Sequence, residues 1–537
     1  MGGRRARTVG AEAAYVSLRA SSIGGADAKE RADEGSVTRV ETIEARLGEH
    51  GLSGRWAVGK PPEELAGIAD DSRRVGTGWL FCAIPGTRVD GREFLEDASE
   101  AGAAAALLEE PVPECPLPQL VVPDARAATA HLAALFHGDP GRALDAIGVT
   151  GTNGKTTTVW LLRHLLGGLG PSASLGTLGR IGTDGVREAG RLTTPGPVEL
   201  MEELARLRDE HADYVALEIS SHALDQRRAE GLPLAAAVFT NLSREHLDYH
   251  ADMESYRRAK LRLAGLVRPG GTCVVNAAEP AWSRLETGRA RRLSFGPVPE
   301  ADVRALDVEG GPGGSRWTLS AGGRSARVDL PLPGDFNVVN ALGAAAAAIA
   351  LGLGVEEAAA RLSSAPQVPG RMEVLRRDPF LVLRDYAHTP DAMERVLATV
   401  RPETGRLLVL FGCGGDRDRG KRPLMGAVAV READLVFLTT DNPRSEDPEA
   451  IVRDIEEGME DVPHRVVMDR EAAIAAVLEE ARPGEVVLLA GKGHEDYQIF
   501  GERKMHFDEA AIVTRVLDEA EAEARATRST PFPEREG

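Results

Sequence analysis

Short apolar runs recur along this chain between segments of helical spacing. Residues 79–84 (Trp-Leu-Phe-Cys-Ala-Ile) and 120–122 (Leu-Val-Val), with Gly/Pro turns and the Ala-rich 101–108 between them, predict a first compact unit running to about residue 136, after a short helix over 38–47. A second group opens with 146–150 (Ala-Ile-Gly-Val-Thr), a buried strand that enters a Gly-rich turn and then a helix from Lys155. Strands over 214–219, 235–240 and 272–276 follow, alternating with helix-like segments. Beyond an Ala-rich helix beginning near Asn340, residues 366–371 carry Pro and Gly and read as a linker. The alternation then restarts, with strands over 381–385, 406–411, 435–440 and 485–490. Strands alternating with helices imply βαβ units, so the fold class is α/β, with two doubly wound parallel-sheet units. A polar helix over 509–526 and a frayed tail over 527–537 complete the chain, and no repeat of fixed period is visible.

Length refines this picture. At about 100–200 residues per domain, 537 residues correspond to three domains, placed at 38–140, 141–366 and 367–537. The first 37 residues carry Arg4, Arg5 and Arg7 without a continuous apolar segment, so they read as a disordered extension or an upstream start rather than a secretory signal. The apolar fraction of 42% and charged fraction of 27% are those of a globular protein and exclude disorder throughout. A net charge of -19 repels nucleic acid and anionic membrane, so an anionic substrate needs a locally basic pocket. Cys82, Cys115, Cys273 and Cys413 are far apart and form no zinc-ligand pattern, which points to a reducing, cytoplasmic setting. The longest apolar stretch, 341–355, is too short for a bilayer span of about 20 residues, and no membrane insertion is expected.

The densest chemical signal is Gly151-Thr152-Asn153-Gly154-Lys155-Thr156-Thr157, between a strand and a helix. The glycines let backbone N–H groups approach phosphate oxygens, the helix N-terminus favours negative charge, and Lys155 adds a point charge. Thr156 is placed to offer its hydroxyl to Mg²⁺. The eight-residue phosphate-loop pattern is shortened, because Val149 stands where its first Gly belongs. A chance Gly-rich turn is the bland alternative. Kinase, hydrolase, motor and ligase all stay open on this loop alone. Glu218, in Glu218-Ile219-Ser220-Ser221-His222, and His246 follow consecutive strands beside it, at the edge where ligands gather in open α/β sheets. They are candidates to share a metal with nucleotide phosphates. Taken singly, each is more often a satisfied polar residue.

In order, the phosphate loop, the Glu218 segment, Thr240-Asn241-Leu242, His246-Leu247-Asp248-Tyr249-His250 and Asp385-Tyr386-Ala387-His388-Thr389-Pro390 resemble the Mur ligase family of ATP-dependent amide-bond synthetases, over about residues 65–515. The resemblance implies a UDP-sugar-binding N-terminal domain, a central parallel-sheet P-loop ATPase domain and a C-terminal Rossmann-like domain that binds the amino acid. It assigns Ser72, in Asp71-Ser72-Arg73, with Thr87, Arg88 and Val89, to the nucleotide sugar. Thr193, Thr194, Ser220, Gln226 and Arg228 match substrate-contacting positions, Arg228 suiting an anionic oxygen. Leu192 and Gly196 depart from the family's usual Asn and Asp, and Leu192 has no side-chain hydrogen bond to offer. Lys260 matches the lysine that the family carbamylates to hold a second Mg²⁺, a cation becoming an oxygen donor. On its own Lys260 would be a solvated helix lysine. Asn337 and His388 match nucleotide contacts, and each would equally serve as a structural cap.

Asp441-Asn442-Pro443-Arg444 resembles the signature of the members that add meso-2,6-diaminopimelate, rather than L-lysine, to UDP-N-acetylmuramoyl-L-alanyl-D-glutamate. Diaminopimelate differs from lysine by a distal carboxylate, which an arginine grips through two parallel hydrogen bonds. By this resemblance Arg417 and Arg444 hold carboxylate, Glu495 takes the ammonium, and Gly491 lies beside it. Alone, the tetrapeptide reads as a β-turn. The implied protein is a monomeric enzyme of peptidoglycan precursor synthesis using ATP and Mg²⁺, by way of an acyl phosphate. Three rivals are a lysine-adding ligase, a folylpolyglutamate-synthase-like ligase, which leaves residues 71–73 and 441–444 unexplained, and a P-loop switch that makes no bond.

Overall fold

The computed structural model describes residues 37–529 except 87, 88, 191, 247, 248, 312 and 461, so Thr87, Arg88 and the expected N-terminal extension lie outside the described residues. The chain divides into two compact units, one ending at Gly138 and one beginning at Asp139.

The first unit is a five-stranded sheet in the order Arg55–Val58, Gln119–Val121, Ala105–Leu108, Trp79–Cys82, Gly67–Ala69. Its last four strands are parallel and the first is antiparallel. Phe81, Ala106 and Leu108 pack with Leu95 and Ala98 in its core. The helix Ala125–Phe136 starts at Asp124, whose carboxylate accepts from the Ala127 N–H (2.9 Å), satisfying one of the donors a helix start leaves open. The expected helix over 38–47 runs Val40–Glu49.

Among the described residues the second unit holds two large sheets and a two-stranded antiparallel pair, Tyr497–Phe500 with Arg503–His506. The larger has eleven strands, seven of them a parallel block: Ser172–Gly176, Tyr214–Glu218, Asp145–Thr150, Leu234–Phe239, Val267–Asn276, Arg291–Gly296 and Val303–Gly311. The strand Asp145–Thr150 lies between Tyr214–Glu218 and Leu234–Phe239, so three consecutive neighbours end at one carboxyl edge. All three are almost wholly buried, which is why they read as continuous apolar runs. The antiparallel meander Val303–Gly311, Gly314–Ala321, Arg324–Leu330 was not among the expected elements. Its alternating burial places Trp317 and Leu319 in the core.

The phosphate-loop helix Lys155–Leu166 buries Val159, Leu161, Leu162, Leu165 and Leu166. It packs against the helix Asp335–Ala350, which starts five residues before the expected Asn340 and is followed by a further helix, Val355–Ser363. Ala344, Ala345, Ala346, Ala347 and Ala348 are fully buried in the same core as the phosphate-loop helix. Each fully buried leucine contributes about 1.5–3 kcal/mol.

The smaller sheet runs Glu373–Arg376, Leu381–Asp385, Val486–Ala490, Leu407–Phe411, Leu435–Leu438, Arg465–Val466, parallel except at its first strand. Separate apolar clusters cover its two faces, as a doubly wound sheet requires. The last helix extends to Ser529, beyond the expected 526, and residues 530–537 lie outside the described residues. Among the described residues no helix is long and apolar enough to cross a membrane.

Candidate active site

The phosphate loop is formed by backbone geometry. Gly151 has φ 152° and Gly154 φ 82°. A Cβ at Gly151 would lie 1.8 Å from Thr240 Oγ1, and one at Gly154 2.1 Å from Asn340 Oδ1. Only glycine meets both demands. The turn is stitched to the next strand end: Thr152 N donates to Asn241 O (2.8 Å), Asn153 N to Asn241 Oδ1 (2.9 Å), and Thr240 Oγ1 to Asn153 O (2.9 Å). Lys155 Nζ curls over the loop to donate to the carbonyls of Gly151 (2.9 Å) and Thr152 (2.8 Å).

Glu218 ends its strand almost fully buried. Its carboxylate accepts from Thr156 Oγ1 (3.1 Å), Thr177 N (2.9 Å) and Thr177 Oγ1 (3.0 Å). Thr177 Oγ1 in turn meets Thr193 Oγ1 at 3.1 Å. Thr194 bridges the strand end and the next turn, donating to Glu218 O (2.8 Å) and accepting from Ser220 N (3.1 Å). Ser220 caps the short helix Ser221–Asp225. Arg228 donates to Thr194 O (2.8 Å) and, through two nitrogens, to Gln226 Oε1 (3.0 and 2.7 Å). The structure thus brings Thr156, Glu218, Thr193, Thr194, Ser220, Gln226 and Arg228 into one connected network. Leu192 is half exposed and Gly196 precedes the helix Pro197–Asp209.

Lys260 is no solvated lysine. The helix Met253–Gly265 begins with a capping box between Asp252 and Ser255, which sets Tyr256 and Lys260 one turn apart on its buried face. Tyr256 Oη meets Thr152 Oγ1 (3.1 Å), and Lys260 Nζ donates to Gly151 O (2.7 Å) while sitting 4.5 Å from the Tyr256 ring centre. Lys155 and Lys260 therefore share one carbonyl. Burial, and then the neighbouring Lys155, push the Lys260 ammonium well below the usual lysine range, while Glu245 acts the other way. His246 takes a left-handed backbone (φ 56°) and packs edge-on against His222, ring centres 4.8 Å apart. Among the described residues no three His, Cys, Asp or Glu side chains are grouped to hold a metal ion.

In the smaller sheet, Asn442 Nδ2 donates to Glu495 Oε2 (2.8 Å). Arg444 has φ 51°, and its Nη1 donates to Gly415 O (2.7 Å). Burial, and then Asp441, raise the Glu495 carboxyl, with Lys492, Asn442 and Arg444 opposing. Asp441, Asn442, Pro443, Arg444, Gly491 and Glu495 thus gather at neighbouring strand ends, and Arg417 lies on the adjoining loop, donating to Asp416 O (3.3 Å). His388 Nδ1 lies 2.8 Å from Tyr386 O, and burial lowers its imidazole. Asn337 Nδ2 donates to Pro333 O (2.7 Å), and its Oδ1 accepts from Asn340, which abuts Gly154. In the first unit, Asp71 accepts from Arg73 N (3.0 Å) at the turn carrying Ser72, and Pro85 pairs with Asp90 beside the exposed Val89.

Sequence reasoning missed several members. Tyr256 and Thr177 carry no motif signal. Arg371, read only as linker, stacks 4.5 Å from the Tyr386 ring centre and is close enough to depress Lys155 and His388. Arg422 is fully buried among Glu446, Asp454 and the Gly414 carbonyl, pinning the loop next to Arg417.

A strand, Gly-rich turn and helix backed by a carboxylate, with a second α/β sheet in the same unit, define a phosphate-loop nucleotide-using enzyme. Three family descriptions match the chain: Mur ligase family, catalytic domain at 64–137; Mur ligase middle domain at 149–348; and Mur ligase, glutamate ligase domain at 370–493. The UDP-N-acetylmuramoyl-L-alanyl-D-glutamate–2,6-diaminopimelate ligase of Gloeobacter violaceus is 44% identical over 455 residues, 84% of this chain and 93% of that relative. The ligase of the same name from Geobacillus kaustophilus is 41% identical over 484 residues, covering 87% and 98%. A solved structure of a ligase of that name has 33% identity and a TM-score of 0.65, covering 90% of this chain and all of that one. The MurF ligase of Thermotoga maritima, solved with ADP, shares the fold at 20% identity, with a TM-score of 0.56 over 85% of this chain and 98% of its own. This chain belongs to the Mur ligase family, with that family's three-domain α/β fold.

Proposed function

We propose that the protein joins meso-2,6-diaminopimelate to UDP-N-acetylmuramoyl-L-alanyl-D-glutamate at the expense of ATP, in the cytoplasmic synthesis of peptidoglycan precursor. One observation carries the amino-acid assignment. Arg444 and Glu495, opposite charges bridged through Asn442, lie at the carboxyl edge of the smaller sheet, the arrangement a zwitterion with a further carboxylate requires. The names of the 41–44% identical relatives support the same reading.

In this reading the γ-phosphoryl group of ATP passes to the free D-glutamate carboxylate, and ADP is released. The amine of diaminopimelate attacks the acyl phosphate, and phosphate leaves as the amide forms. Residues 151–157, with Asn337 and His388, hold ATP. Ser72, Thr87, Arg88 and Val89 bind the nucleotide sugar, while Thr193, Thr194, Ser220, Gln226 and Arg228 bind its peptide arm. Lys155 and Arg228 neutralise charge on the transferring group, where positioning does most of the work. Arg417, Asp441, Asn442, Pro443, Arg444, Gly491 and Glu495 form the amino-acid pocket.

Thr156 and Glu218 are adjoining hard oxygen donors of the kind Mg²⁺ takes. With His246 and Lys260 as its carbamate, they are the residues proposed to hold Mg²⁺, which supplies neutralisation of phosphate charge. A buried, readily deprotonated Lys260 amine suits addition to CO₂, which releases one proton. Carbon-13 bicarbonate should give a carbamate resonance that Lys260→Met abolishes; identical spectra would remove this assignment.

The deciding assay is phosphate release from ATP with the UDP-sugar dipeptide and either meso-diaminopimelate or L-lysine. Release with diaminopimelate alone is expected. Release with lysine alone would keep a ligase and overturn the role of Arg444, and release independent of either would leave a nucleotide hydrolase.

A further inference from the structure

Lys492 follows the strand Val486–Ala490 by two residues, and its side chain is completely buried. Its ammonium lies 3.2 Å from the Asp441 carboxylate and 3.9 Å from that of Glu495. It donates to Asn442 Oδ1 (3.2 Å) and to the Tyr497 carbonyl (2.7 Å). The same Asn442 oxygen accepts from Ile499 N (3.1 Å), so the Asn442 amide is fixed with its nitrogen toward Glu495. One buried cation thus touches three members of the proposed amino-acid pocket. A buried ammonium is costly unless paired, and a plain packing role would be filled by an apolar side chain.

We propose that Lys492 is a positioning residue for amino-acid selection: its ammonium holds Asp441, Asn442 and Glu495 in one arrangement and keeps Glu495 ionised to receive the substrate's amino group. The proposal rests on the diaminopimelate reading above. Without Lys492, two carboxylates would face each other in a poorly solvated pocket, and such pairs retain a proton. The groups facing Glu495 are Asp441, Lys492, Asn442, Arg444, Tyr386 and Tyr497, and Arg470 faces Lys492 as a like charge. Both Lys492 and Arg444 donate to Asn442, Glu495's own hydrogen-bond partner, but Lys492 bonds the side-chain amide oxygen (3.2 Å) and so orients the amide, whereas Arg444 meets the backbone carbonyl (3.5 Å).

The test measures kcat/KM for diaminopimelate against pH in the full chain, with ATP and UDP-sugar dipeptide saturating. Lys492→Met should raise the KM for diaminopimelate about ten-fold. It should also move the acid limb upward by about one pH unit and leave the KM for ATP unchanged. Asp441→Asn should move that limb the other way, because the charge it removes is one that raises the Glu495 carboxyl. Opposite displacements are not expected of a merely structural lysine. Equal losses toward ATP and diaminopimelate with an unmoved limb would overturn the proposal. Should Lys492→Met fail to fold, Lys492→Gln, which keeps a donor toward Asn442 but removes the charge, decides it: an upward shift of the limb supports the proposal, and no shift or a downward one overturns it. A Glu495→Gln variant with unaltered KM for diaminopimelate would instead overturn the pocket assignment itself.

Discussion

The phosphate loop and the proposed amino-acid pocket both lie at carboxyl edges of parallel strands, yet they are built from different material. The loop is one contiguous stretch, 151–157, whose backbone geometry sets its tolerances at Gly151 and Gly154. The pocket is assembled from segments around 414–417, 441–446 and 491–500, joined by side-chain hydrogen bonds of Asn442 with Glu495 and Lys492, of Arg444 with the Gly415 carbonyl, and of Glu446 with Asp416 N and Arg422. A site made chiefly of backbone, with Lys155 as its added charge, carries a chemistry shared across a family, because side-chain changes that spare the turn and the lysine preserve it. A site made of side chains sets what is selected, because single replacements alter recognition while the nucleotide machinery persists.

The sharpest way to break that contrast is to change each site by the smallest chemical step. Gly154→Ala adds one methyl group at a left-handed position where Asn340 Oδ1 lies 2.1 Å away. Turnover should fall by about a thousand-fold or more, as should that of Lys155→Ala, which removes the cation proposed to neutralise the transferring phosphoryl group. Phosphate-release kinetics check both, and near-normal turnover in Gly154→Ala would mean that the loop is not shaped by its backbone. Next in size, Arg444→Ala should raise the KM for diaminopimelate about 10–100-fold with little change for ATP. Arg444→Lys should recover little of this, since an ammonium cannot reproduce a two-pronged grip. Parallel losses for ATP would show that the pocket and the loop are not separable.

The same division explains what was legible in the amino acids. The strands ending at Thr150, Glu218 and Phe239 are continuous apolar runs because both sheet faces are covered, and the loop between Thr150 and Lys155 is local in sequence. The meander over 303–330 escaped because its inward residues, such as Val303, Ala305 and Trp317, alternate with polar ones and no chemical motif draws attention to them. Lys260 is legible as a helix residue, but its burial under the phosphate loop depends on the capping box at Asp252 and on a carbonyl more than a hundred residues earlier. The pocket tetrapeptide 441–444 reads as a turn until Lys492 and Glu495, far along the chain, are brought against it. Resemblance supplied its meaning, whereas Arg371, Arg422 and Lys492 needed the tertiary structure.

The smallest effect separates the two regions by their response to pH. Glu446 is held down to about 2, first by hydrogen bonds from Arg422, then through Asp416 N and Arg419, against its own desolvation. In the unfolded chain it titrates near the ordinary glutamate value of about 4.3. A depressed carboxyl binds fewer protons when folded, so its stabilisation is complete above about pH 4.5 and is lost as pH falls toward 2. Lys260 also binds fewer protons when folded, but its window lies higher: stability should rise with pH from its lowered folded value toward the ordinary lysine range. Urea midpoints in bicarbonate-free buffer should therefore show an acid slope that Glu446→Gln flattens and an alkaline slope that Lys260→Met flattens. Each change should correspond to a shift of a few degrees in Tm. If either variant flattened both slopes, the loop and the pocket would be one electrostatic unit, and the separation of shared chemistry from selection would have to be abandoned.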